Sequence, residues 1–326
     1  MFGVFSRLFA TGRDDPVEST KSALAKRLAC ELLPKSFPKL KDTNHFYREL
    51  TGPAARTIDY IEGIVASMRE FIPLERKSFF TNKTLNALFV SEGQMLELLC
   101  SKKFVINFIN VSHDETLFAL ITATPSRGTT TGSALVGELI QRDILQTSLT
   151  FIDHKCPIVT TSQSDFNNLI TEGLMQLCAD KISEEMILHD KKITGLKENI
   201  VSMNCKVKLL EIHVNSLGGM FSDAVDERKN LAEALEYRNQ MQTELEKLTS
   251  RFKDPSACLR YVADMLGKPE EIISVEKVRL RLDEYGVLYD LADESNGHAI
   301  ELAGFTFDGR PRVAVPVRFV ADQVCG

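Results

Sequence analysis

The residues best able to do chemistry in this 326-residue chain are its six histidines and seven cysteines. The histidines stand at His45, His113, His154, His189, His213 and His298, and the cysteines at Cys30, Cys100, Cys156, Cys178, Cys205, Cys258 and Cys325. Zinc needs three or four ligands, usually drawn from closely spaced pairs. Only His154 and Cys156 stand two apart, and no second pair accompanies them, so no metal site is expected. A Cys–His nucleophile built on Cys156 would need an imidazole to take the thiol proton, and no further feature of the sequence supports one. There is no GxSxG, HExxH or glycine-rich dinucleotide fingerprint. Arg127–Ser133 reads RGTTTGS, but a phosphate-cradling loop needs four residues between its glycines and then a lysine. Gly128 and Gly132 are three residues apart and no lysine follows, so a hairpin turn is the better reading. No catalytic or cofactor-binding residue is assigned, and no cofactor is expected.

The segment Asp293-Glu294-Ser295-Asn296-Gly297 resembles the acidic-Ser-Gly signature of the cyclic-dinucleotide-binding PilZ family. Its spacing is one residue short, and Arg279 and Arg281 are only two apart, so a plain loop between strands is expected. Asn86–Phe89, Gly137–Asp143 and Thr150–His154, followed by a helix, resemble a family of uncharacterised bacterial proteins. That resemblance implies a bacterial, cytoplasmic origin and brings no activity with it.

The elements that would position any site fall into helical and β segments. Glu18–Leu33 has helical periodicity and should stop before Pro34. Pro53 suits the first position of a helix running to about Phe71. Asn82 or Thr84 would cap a helix through Leu99. The period then changes: Phe104–Val111 and Thr116–Thr124 are rich in β-branched and aromatic residues and suggest a hairpin. Thr129–Ile140 leans towards strand. Ile144–Ile152 and Pro157–Thr161 read as a strand pair around Asp153–Cys156. Beyond a short helix, Ser256–Leu266, three further strand-like runs cover Val275–Leu291, Ala299–Phe307 and Arg312–Val320, with ESNG and DGRP as turns.

The strongest single pattern begins after Ser164 or Asp165, either of which would serve as a helix cap. Apolar residues recur at heptad a and d positions: Ala179, Ile182, Met186, His189, Ile193, Leu196, Ile200, Met203, Val207, Leu210, Val214, Leu217, Phe221 and Ala224. This is well past the three or four heptads that support a coiled-coil reading, and His189 is its one polar member. A second seam, Leu231, Ala234, Arg238, Met241, Leu245, Leu248 and Phe252, is three residues out of register. Either the helix continues with local overwinding, or Gly218-Gly219 opens a turn and the second helix folds back.

The expected fold is α+β: a helical N-terminal region with a small antiparallel sheet, a long coiled-coil helix or helical hairpin, and a C-terminal antiparallel β module. The expected divisions are residues 1–16, 17–163, 164–253 and 254–326. At the N-terminus, Phe2, Val4, Phe5, Leu8 and Phe9 make an apolar helical face beside Arg7, a candidate membrane contact. This stretch is similar in kind to the leading membrane-contact helix of the phage-shock-protein A family, which also carries an FSR run.

A net charge of −6 argues against broad nucleic-acid binding. The odd, widely spaced cysteines lack a CxxC pair and point to a reducing compartment. Taken together, these features suggest a cytoplasmic, non-enzymatic, homo-oligomeric scaffold or signalling adaptor acting through self-association or a partner helix. The alternatives are a protein peripheral on the inner membrane, and a small-ligand sensor or enzyme with a site in a β-rich region.

Overall fold

The computed structural model describes residues 16–36, 46–68, 70–99, 115–136, 139–215, 224–251, 255–293 and 295–320. It is a mixed α and β protein with two compact units, one of residues 1–57 and 176–267 and the other of residues 58–175 and 268–326.

The second unit is built on one seven-stranded sheet. Its strands are β1 (Ile72–Pro73), β2 (Thr116–Val136), β3 (Leu139–Thr160), β4 (Ile273–Leu282), β5 (Leu288–Tyr289), β6 (His298–Phe307) and β7 (Arg310–Val320). The path runs β3-β2-β7-β6-β4-β5, with β1 added in parallel to β7. The path then returns on itself. Ser148 of β3 bridges Val287 beside β5, and the Leu149 amide donates to the Gly286 carbonyl at 2.8 Å. The two ends of the strand path therefore meet at this point, curling the sheet into a barrel joined by a single bridge.

Strand periodicity fills the barrel. Side chains alternate across a strand, so Leu117, Ala119, Ile121 and Ala123 of β2 point the same way as Val313, Val315, Val317 and Phe319 of β7, their register partners. Leu149, Phe151, Leu282, Ile300 and Leu302 complete the interior. Three short helices, α4 (Ser78–Thr81), α5 (Lys83–Leu88) and α6 (Glu92–Leu99), add Phe79, Leu85, Leu88, Phe89, Met95 and Leu99 to the same core. Phe71 meets the rings of Phe118 and Phe166 edge-on, at 5.1 and 4.9 Å, on the opposite face of β2.

The first unit is helical. It contains α1 (Pro16–Arg27), a π-helical turn at Leu28–Leu32, α2 (Leu33–Ser36) and the first half of α3 (Phe46–Ser67). The long α7 (Gln163–Asn215) from Gln176 onwards, α8 (Ala224–Arg251) and α9 (Pro255–Leu266) complete it. A short α10 (Pro269–Ile272) leads into β4.

The turn chemistry is legible. Asn82 Oδ1 accepts from the Thr84 and Leu85 amides and caps α5, as expected. The helix breaks at Phe89–Ser91, and Ser91 with Gln94 starts α6, the Gln94 amide bonding the Ser91 hydroxyl and the Val90 amide bonding Gln94 Oε1. The DGRP turn is a two-residue hairpin with positive φ at Asp308 (52°) and Gly309 (71°), the pairing that strand twist favours.

Several boundaries differ from expectation. The N-terminal helical run continues through Pro34 by a π-helical turn. Pro53 lies inside α3, which starts seven residues earlier at Phe46. Proline lacks a donor, so the Glu49 carbonyl loses its usual partner there. α7 is capped by Ser162, whose hydroxyl accepts from the Asp165 amide at 3.0 Å, and not by Ser164 or Asp165. The strand pair expected around Asp153–Cys156 is one strand, β3. Register shifts opposite Leu120–Thr124 and a positive φ of 52° at Asp153 absorb the irregularity as bulges. RGTTTGS is not a turn but lies within β2, with Arg127 opposite Leu149 and Gly132 opposite Ile144. Phe104–Val111 and Gly218-Gly219 lie outside the described residues.

Candidate functional site

The seam residues run along α7 with varied burial. Ile182, Met186, Ile200 and Val207 are buried, and His189, Ile193, Leu196, Met203, Leu210 and Val214 are half-buried along α7. Leu217 and Phe221 lie outside the described residues. Ala234 and Met241 are buried on α8, with Leu231, Arg238, Leu245 and Leu248 half-buried beside them.

Two side-chain contacts set the direction of α8. Lys192 Nζ lies 2.9 Å from Glu244 Oε1, and His213 Nε2 lies 2.8 Å from Glu227 Oε1. As one partner advances along α7, the other retreats along α8, so the two helices are antiparallel. The out-of-register second seam is therefore the returning arm of a helical hairpin.

The back of α7 departs from the usual pattern. With the seam at a and d, the solvent side of a two-helix coil falls at b, c and f and is normally polar. Here Ile187 and Val201 occupy b, Leu209 occupies c, and Cys205 and Ile212 occupy f. Val201, Leu209 and Ile212 are 63%, 68% and 66% exposed. The corresponding positions of α8 (Ala232, Glu233, Glu236, Asn239, Gln240 and Thr243) carry no large apolar side chain. α7 thus carries exposed apolar side chains on its back, interspersed with charged ones, in addition to the seam on the side facing α8.

The barrel holds a second candidate, an open-ended cavity of about 340 Å³. Leu149, Phe151, Val278, Leu280 and Val313 line its wall, with Arg127 and Glu276 among its polar groups. Mouths of barrels are frequent sites for small ligands.

The residues singled out for chemistry are occupied structurally. His154 Nε2 bonds the Leu88 carbonyl at 2.7 Å, and its ring stacks on Phe89. Cys156 Sγ donates to the Ile158 carbonyl at 3.6 Å. Burial pushes the Cys156 and Cys178 thiols up to about 12, which keeps them protonated near neutrality. The Asp293–Gly297 loop binds itself: Asp293 Oδ1 accepts from the Ser295 amide and hydroxyl, and Oδ2 from Asn296 Nδ2. Ser295 and then Asn296 hold the Asp293 carboxyl below its ordinary value. Arg281 Nη1 donates to the Asn296 and Gly297 carbonyls, while Lys277 and Arg279 both grip Glu301 at 3.0 Å. Among the described residues no group of three or more His, Cys, Asp or Glu could hold a metal ion.

Phe2, Val4, Phe5, Leu8 and Phe9, the candidate membrane contact, lie outside the described residues. Among those described, no helix is long and apolar enough to cross a membrane. No family model, curated protein or solved structure matches the chain.

Proposed function

We propose that the protein is a non-enzymatic, oligomeric coiled-coil scaffold or signalling adaptor of the cytoplasm, in which a helical hairpin joins copies and the β-barrel is the carried module. The observation that supports this reading is the set of exposed apolar side chains on the back of α7, which the hairpin leaves open. Water-exposed Val201, Leu209 and Ile212 on a coil's back disfavour the isolated chain, and association removes that surface from water. Free thiols at Cys30, Cys156, Cys178, Cys205 and Cys258 favour a reducing compartment. Static light scattering on the full chain at micromolar concentration tests the reading. A mass above 36.5 kDa is expected, and a strict monomer refutes it.

One observation favours a second reading, a small-ligand sensor: the open barrel cavity with Arg127 among its polar groups. An anionic apolar dye should then bind saturably, and Val278→Trp should abolish that binding by filling the cavity. A dye response that never saturates refutes this reading.

A further inference from the structure

We infer that the open face of α7 pairs with the same face of a second copy, antiparallel, in a register that sets Val201 of one copy opposite Cys205 of the other. The inference rests on the scaffold reading above and specifies the surface and the partner. The partner must offer apolar side chains to meet Val201, Cys205 and Ile212 and opposite charges to meet Glu198 and Lys208, and α7 itself offers both. The back of α8 does not.

Charge fixes direction and register. The back face also carries Glu198 at f and Lys208 at b, flanked by Lys197 and Glu211 at e. These four groups form no ion pair within the chain among the described residues. A parallel pairing would set Glu198 against Glu198 and Lys208 against Lys208. An antiparallel pairing about the height of Met203 sets Glu198 opposite Lys208 of the second copy. The same register brings Lys197 within a turn of the other copy's Glu211 and sets Ile212 opposite Thr194. Two-fold symmetry repeats each contact, giving an isologous interface.

The size of the face is consistent with a reversible dimer. A helix rises 1.5 Å per residue, so Thr194 to Ile212, the stretch this register pairs, spans roughly 27 Å. A strip of that length and about 10 Å wide covers roughly 270 Å² per copy, about a third of the roughly 800 Å² per partner of a standard interface, the size of a weak, transient contact.

Sedimentation equilibrium on the full chain and its variants tests the inference. Val201→Asp with Ile212→Asp should raise the dimer dissociation constant about 100-fold or more, because each buried charge is introduced twice. Lys208→Glu alone should weaken the dimer about tenfold, and adding Glu198→Lys should restore it. All four positions face solvent in the single chain, so unchanged circular dichroism is expected throughout. Under mild oxidation Val201→Cys should form an intermolecular disulfide with Cys205 that is lost when Cys205→Ser is added. An oligomer of unaltered mass and affinity in the Asp variant overturns the α7 pairing and leaves the scaffold reading standing. A wild-type chain that stays monomeric overturns both.

Discussion

Closure of the barrel depends on a backbone approach that only glycine permits, and Gly286→Ala should expose that dependence. Gly286 has φ of +75°, and a Cβ there would lie 2.8 Å from the Leu149 carbonyl oxygen. The Leu149 amide in turn donates to the Gly286 carbonyl at 2.8 Å. Gly309 is the matched control: its φ is +71°, but nothing lies within 4 Å of its Cβ position. A left-handed conformation costs an L-residue about 1–2 kcal/mol at either site. At Gly286 the clash must also move a buried strand residue and weaken one backbone hydrogen bond, worth about 0.5–1.5 kcal/mol. Gly309→Ala should therefore lose about 1–2 kcal/mol and Gly286→Ala about 2–4 kcal/mol. Urea unfolding followed by circular dichroism measures both, and hydrogen exchange at the Leu149 amide reports the closure locally. A Gly286→Ala variant no less stable than Gly309→Ala, with Leu149 still protected, would refute the reasoning.

Two further outcomes follow from the electrostatics and burial. Asp153 is hydrogen-bonded first by Lys155 and then by Arg312, at 3.0 and 2.9 Å, and its carboxyl is held below the ordinary value of 3.8. A depressed carboxyl contributes stability above its unfolded value and loses that contribution as pH falls through its folded value, so the window lies below pH 3.8. A carbon-detected NMR titration should give a midpoint under 3.8, and Arg312→Gln should raise it; a wild-type midpoint at or above 3.8 counts against the pair. Cys205 is exposed, whereas the Cys156 and Cys178 thiols are pushed up to about 12. At pH 8 a thiol of that kind is about 10⁻⁴ ionised. In dilute solution, where copies are dissociated, iodoacetamide should label Cys205 in the native chain and reach Cys156 and Cys178 only on unfolding, as followed by peptide mass spectrometry. Equal native rates would contradict their burial.

Features governed by local periodicity were legible in the sequence. The α7 seam from Ile182 to Val214 follows from a 3.5-residue repeat, and the helix buries that face. Asn82 as a cap and Asp308-Gly309 as a hairpin turn follow from side-chain and φ requirements. What escaped the reading depends on distant partners. The strands on either side of the helical hairpin share one sheet, with Thr116–Ala123 pairing Val313–Val320, and no local pattern encodes that join. Asp153–Cys156 resembles a turn but is a bulge, because Lys155 and Arg312 hold Asp153 in place. Pro53 suits a helix start, yet the helix runs through it. The direction of α8 needed Lys192–Glu244 and His213–Glu227. The open face was present in the same heptads. Val201, Leu209 and Ile212 stand out only once α8 is known to cover the opposite side.

The most direct test of the two-faced helix is cross-linking of an equimolar mixture of ¹⁴N- and ¹⁵N-labelled full-length chains with a lysine-specific reagent. The antiparallel pairing brings Lys197 of one copy to the height of Lys208 of the other. Mixed-isotope Lys197–Lys208 cross-links are the predicted result. Links between these lysines that are always of a single isotope would contradict the account.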